Sequence, residues 1–105
     1  MEEFHIEVYR GDTPEIEFVF YDAENNPLNL DGYTVYFTAI KPNGEVLFDV
    51  ETRPVDLVNG IVSAKLTSEQ TSVPGIYRCE FEGRKDDTIL TLWQGWLVIR
   101  DDVRK

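Results

Sequence analysis

Apolar and polar side chains alternate in seven short stretches of this 105-residue sequence. They run from Phe4 to Tyr9, Glu15 to Tyr21, Tyr33 to Ile40, Val46 to Val50, Ile61 to Leu66, Ile76 to Phe81 and Ile89 to Ile99. A period of two marks a strand that buries one face and wets the other. Turn residues separate the stretches: Arg10-Gly11-Asp12-Thr13-Pro14, Asp22 to Pro27, Asp31-Gly32, Lys41-Pro42-Asn43-Gly44, Asn59-Gly60, Pro74-Gly75 and Gly83 to Asp87. Asn-Gly pairs between alternating runs are hairpin signals, because glycine adopts the positive φ that such turns require. Thr67-Ser68-Glu69-Gln70 has capping-box spacing and predicts at most one short helical turn near residues 67–72. The pattern weakens from Val55 to Val58, where no register can be read. These elements predict an all-β chain, an antiparallel β-sandwich of seven to eight strands, folded as one domain over residues 1–105.

Parity within each stretch selects a core of Ile6, Val8, Ile16, Phe18, Phe20, Val35, Phe37, Val62, Leu66, Tyr77, Cys79 and Phe81. Truncating Phe18 or Phe37 to alanine is expected to cost about 3–5 kcal/mol. Tyr77-x-Cys79 after Pro74-Gly75 resembles the tyrosine corner of immunoglobulin-like (Ig-like) domains, in which the phenol bonds back to upstream backbone. That makes the predicted sandwich Ig-like.

The last stretch breaks the rule of one dry face. Leu90-Thr91-Leu92-Trp93-Gln94-Gly95-Trp96-Leu97-Val98-Ile99 is apolar on both parities. Either Gly95 is a bulge that resets which side points inward, or the strand is covered on both faces, by the core and by a partner. Two tryptophans within four residues suit an interface anchor, so Trp93, Trp96 and Leu92 are the candidate partner-binding residues.

Composition removes most chemistry. Cys79 is the only cysteine, so no internal disulfide forms, which fits folding in a reducing cytoplasm. Cys79 reads as a small buried hydrophobe with no local group to activate it. His5 alternates outward and stands alone. The formal net charge is −10, and the excess lies entirely in the first 51 residues, where twelve acidic side chains meet only Arg10 and Lys41. Such a balance disfavours nucleic acid, whose phosphates need lysine and arginine. It suits a basic partner or simple solubility.

Asp22, Glu24 and Asn25, or Asp86 and Asp87, lack the spacing of an EF-hand calcium loop. No metal, cofactor or catalytic constellation is expected, and the chain is read as a non-enzyme. Arg10-Gly11-Asp12 matches the integrin tripeptide, but it is first of all a favourable turn. The acidic start, Met1-Glu2-Glu3, is not a signal peptide, and no run is long enough to insert in a membrane.

Two sets of residues carry a family resemblance. The first is Arg10-Gly11-Asp12, then Asp22-x-x-x-x-Pro27-x-Asn29-Leu30-x-Gly32 followed by Val35-x-Phe37. The second is Asn59-Gly60, Val62-x-Ala64-x-Leu66, Pro74-Gly75-x-Tyr77-x-Cys79-x-Phe81 and a closing Gly95-x-x-Val98. Together they resemble the N-terminal Ig-like domain of phage baseplate upper proteins. The resemblance implies a virion structural module of a phage or prophage tail, made in the bacterial host cytoplasm, that attaches to the baseplate. The implied partners are other tail and baseplate proteins, and a homo-oligomer is left open. The alternative function is a carbohydrate- or host-surface-binding sandwich using Tyr9, Tyr21, Tyr36, Trp93 or Trp96 as stacking platforms.

Overall fold

The computed structural model describes residues 5–101 and contains eight strands. They are β1 (His5–Tyr9), β2 (Glu15–Val19), β3 (Thr34–Ile40), β4 (Val46–Glu51), β5 (Arg53–Asp56), β6 (Ile61–Lys65), β7 (Gly75–Lys85) and β8 (Thr88–Arg100). A five-stranded sheet in the order β1-β8-β7-β3-β4 faces a three-stranded sheet in the order β2-β6-β5. Phe20, Leu30, Val35, Phe37, Phe48, Val62, Leu66, Tyr77, Phe81, Leu97 and Ile99 lie in one buried cluster between them, most of them placed by strand alternation. The sandwich is the expected one. The predicted Phe4 start of the first strand lies outside the described residues.

Several local expectations are refined. All pairings are antiparallel except β1 with β8, which is parallel. The eighth strand, β5, is exposed along its whole length, so it has no alternation to read. The strand expected to reach Tyr21 ends at Val19, and Tyr21 keeps only an isolated bridge to Pro27. The turn expected over Gly83–Asp87 shrinks to Asp86-Asp87, with Asp86 at φ 51°. The capping box at Thr67 forms: the Thr67 amide donates to Gln70 Oε1 at 2.8 Å and the Gln70 amide to Thr67 Oγ1 at 3.2 Å. The stretch stays a turn, and the only helical element among the described residues is a 3₁₀ turn at Leu57–Asn59.

The chain changes sheets at Thr52. Both its amide and its Oγ1 donate to the Val35 carbonyl at 2.8 Å, so both donors of this buried corner residue between β4 and β5 are paired. Thr71 does the same for the Arg10–Pro14 turn. It is fully buried, its Oγ1 donates to the Asp12 carbonyl at 2.8 Å, and its own carbonyl accepts from Gly11 at 3.1 Å. The integrin-like tripeptide is thus part of a turn pinned to the fold.

The tyrosine corner is present. Tyr77 is buried and its hydroxyl donates to the Val73 carbonyl at 2.8 Å, four residues upstream. Tyr77→Phe removes the donor and leaves that carbonyl without its partner. The expected loss is about 0.5–1.5 kcal/mol in urea unfolding with an unchanged m-value. A loss near zero would assign the corner no role in stability.

Candidate functional site

The three candidate residues do not share a face. A register shift between β7 and β8 leaves Leu92 unpaired, between Phe81 opposite Trp93 and Glu82 opposite Thr91. The bulge therefore sits at Leu92 and not at Gly95, which pairs regularly with Cys79. Its effect is the one expected of a bulge: two successive side chains, Leu92 and Trp93, both pack on the core. The Trp93 ring centroid lies 5.9 Å from that of Phe81 and 6.5 Å from that of Phe18. Beyond the bulge, Leu97 and Ile99 point inward, and Trp96 is left half-buried on the outer face of the five-stranded sheet.

Cross-strand register gives Trp96 its neighbours. It stands opposite His5 on β1 and Arg78 on β7; Arg78 is opposite Ile40 on β3, and Ile40 opposite Val46 on β4. The Arg78 guanidinium carbon lies 6.0 Å from the Trp96 ring centroid. In the adjacent row Val98 faces Ile76. Ile76 and Val46 are 61% and 59% exposed, so one end of the sheet presents an apolar surface to solvent. Sequence reasoning assigned Ile76 outward, but it could not assemble this patch, because its members come from four strands and meet only through register.

The other end of the same face is polar and cross-linked. Thr38 Oγ1 donates to Asp49 Oδ1 at 2.8 Å, Arg84 Nε to Glu82 Oε1 at 2.6 Å, and the Arg84 guanidinium lies 4.1 Å from the Tyr36 ring centroid. The candidate stacking platforms divide accordingly. Trp93 points inward, Tyr36 is covered by Arg84, Trp96 faces Arg78, and Tyr9 and Tyr21 stay exposed.

The reactive groups serve the fold. Cys79 is buried, and burial pushes its thiol up to about 12, which leaves it protonated and unreactive at neutral pH. His5 is exposed, 3.8 Å from Glu7. The Asp22 carboxylate is occupied by the amides of Glu24 and Asn26, so that acidic cluster is a turn. Among the described residues no three His, Cys, Asp or Glu side chains converge on a common point. A shallow pocket of about 140 Å³ lies between the sheets beside Thr52, lined by Tyr33, Glu51, Pro54 and Leu57 among others.

Ion pairs hold the margins. Glu7 is kept below the ordinary carboxylate range by its hydrogen bond from Arg100, and Glu15 by hydrogen bonds from Arg53 and Ser63. A carboxylate with a depressed pKa stabilises the fold at neutral pH and loses that contribution as the pH falls through its folded value. Both groups are solvent-screened, so their effect is small.

Fold and tyrosine corner together define an Ig-like sandwich. The family described as BppU N-terminal domain matches residues 3–93, and the chain belongs to that family, a structural module of the phage baseplate. Among solved structures it is similar to the N-terminal domain of phage TP901-1 ORF48, with a TM-score of 0.72 and 13% identity over 92% of this chain and 85% of that one. The Lin-41 filamin domain is a more distant neighbour, with a TM-score of 0.55 and 22% identity over 90% of this chain and 82% of that one. These likenesses speak for the fold. No curated protein sequence matches the chain.

Proposed function

We propose that this chain is a non-enzymatic attachment domain of the virion tail, and that it docks another baseplate protein through the apolar end of the five-stranded sheet. Membership of the BppU N-terminal domain family carries the reading. Trp96 supplies the anchor: a large ring, half out of water, with His5 and Arg78 beside it and Ile40, Val46, Ile76 and Val98 on the same outer face. Trp93 and Leu92, proposed from sequence as part of the same contact, pack on the core and leave Trp96 as the outward anchor of the reading. The acidic first half then gives solubility and orientation.

The experiment is capture of baseplate proteins encoded beside this chain by the wild type, Trp96→Ala and Ile76→Ala. Each Trp can bury on the order of 200 Å², and hot-spot truncation costs about 2 kcal/mol or more, so Trp96→Ala should weaken capture about thirty-fold or more. The variant should stay folded, because the ring is not part of the buried core. Undiminished capture by both variants would remove this face from the interface.

A further inference from the structure

Among the described residues every arginine but one holds a carboxylate. Arg10 pairs with Asp101 at 3.2 Å, Arg53 with Glu15 at 2.9 Å, Arg84 with Glu82 at 2.6 Å and Arg100 with Glu7 at 2.6 Å. Arg78 has no such pair, and its guanidinium lies toward the Trp96 ring instead. Register gives its surroundings. Trp96 and Ile40 stand opposite it on the flanking strands, and Ile76 and Glu80 lie two residues away along β7 on the same face. Val98, Gln94 and Thr38 are its diagonal neighbours. Arg78 therefore stands where the apolar end of the face meets the polar end. The carboxylates of the face are engaged elsewhere. Besides Glu7 and Glu82, Asp49 accepts from Thr38 at 2.8 Å, Glu80 from Gln94 at 3.4 Å and Glu51 from Tyr36 at 3.5 Å.

In the free chain Arg78 is exposed and water serves it. A partner that closes over Trp96 changes this, because the guanidinium lies beside the ring and loses its water with it. Taking a charge out of water without a counter-charge is strongly unfavourable. A guanidinium cannot escape by giving up its proton, as a lysine or histidine can. The contact with Trp96 holds the group in its row, which leaves its planar fork ready for a bidentate acceptor. A nucleic-acid phosphate would have to approach a chain of net charge −10, so a protein carboxylate is the fitting acceptor.

We propose that the protein docked on this face carries an aspartate or glutamate that pairs with Arg78, set within an apolar contact over Trp96, Ile76 and Val98. The apolar contact supplies affinity, and the ion pair fixes which partner docks and in which orientation. The inference rests on the attachment reading and adds to it the chemistry of the partner.

The experiment is capture of purified baseplate proteins, encoded beside this chain, by the full chain and its variants. Arg78→Gln should weaken capture about ten-fold or more, and Arg78→Glu further. In the captured protein, exchange of a single Asp or Glu for lysine should weaken binding to the wild type and restore binding to Arg78→Glu. Free Arg78→Gln should unfold in urea at the wild-type midpoint, since the side chain is exposed. Capture unchanged by Arg78→Glu but lost with Trp96→Ala would overturn the ion pair and leave the attachment reading standing. Capture unchanged by both variants, or absent with the wild type, would overturn the two together. Three further results would each overturn the ion pair alone. They are weakened capture that no Asp or Glu exchange restores, a lowered midpoint for Arg78→Gln, and a wild-type dimer that Arg78→Glu dissociates. The second would assign Arg78 an ion pair within the chain, and the third a contact with a second copy.

Discussion

Phe81→Ala is expected to destabilise the chain by about 3–5 kcal/mol, the range for emptying a large buried aromatic site. Phe81 is fully buried and ties together four strands. It stacks on Phe37 of β3 with centroids 4.4 Å apart and planes at 9°, and its centroid lies 4.3 Å from that of Phe18 on β2. It also meets Phe20 at 5.3 Å and Trp93 of β8 at 5.9 Å. Truncation therefore opens a cavity at the point where the two sheets touch, and rings held by one another cannot collapse into it without losing their own contacts. A domain of this size has a total stability of about 5–15 kcal/mol, so the loss is a large share of it. In thermal unfolding the midpoint should fall by about 15–30 °C. A fall of only a few degrees would mean that the aromatic cluster repacks around the gap.

The same cluster separates two residues that sequence parity treats as equals. Phe37 is fully buried beneath both sheets, whereas Phe18 sits on the edge strand β2 at the open seam and keeps part of its ring in water. Phe18→Ala should accordingly cost less than the value expected of it from parity, and less than Phe81→Ala. Alternation reports which face a side chain takes; it carries no information about whether a strand is central or at an edge. That information lies in strand order, and strand order is set by pairings between residues far apart in the chain.

This limit explains most of what the sequence did not reveal. Faces were legible: Val35, Phe37, Val62, Leu66, Tyr77, Cys79 and Phe81 are all buried as alternation predicts. Turns with a chemical mechanism were legible too, as at Gly44, where φ is 90° and the amide bonds to the Lys41 carbonyl at 2.9 Å. Bulges were not, because the residue that slips out of register is chosen by packing. Leu47 and Leu92 fill gaps in the core as extra residues, and Gly95, the more obvious suspect, stays in register. Leu30 was also hidden. It lies in a loop, yet it is fully buried because Asn29 and the Asp31-Gly32 turn fold the chain back over the sandwich. The candidate surface needed register most of all. Trp96 could be singled out from sequence, while its company of Ile40, Val46, Ile76 and Val98 could not.

Gly60→Ala is expected to be the most damaging glycine substitution among those the structure describes. Gly60 closes the 3₁₀ turn at φ 71°, a left-handed conformation that costs an L-residue about 1–2 kcal/mol. Space compounds the cost. A Cβ there would lie 2.7 Å from the carbonyl oxygens of both Phe20 and Leu28. The Phe20 oxygen is not free to retreat. The Phe20 carbonyl accepts from the Leu28 amide at 3.0 Å, and the Phe20 amide itself donates to the Gly60 carbonyl at 2.9 Å. The methyl group would thus pry apart the point where the end of β2, the Leu28 loop and the start of β6 are laced together. Overpacking of this kind adds about 1–3 kcal/mol, for a combined loss of about 2–5 kcal/mol. Gly44→Ala is the control. Gly44 has an equally positive φ of 90°, but nothing lies within 4 Å of the added methyl. It should lose about 1–2 kcal/mol, from conformation alone. Parallel urea titrations of the two variants separate the contributions. If Gly60→Ala proves no worse than Gly44→Ala, the crossing at Gly60 is loose, and its backbone bonds do not lock the loop to the sheet.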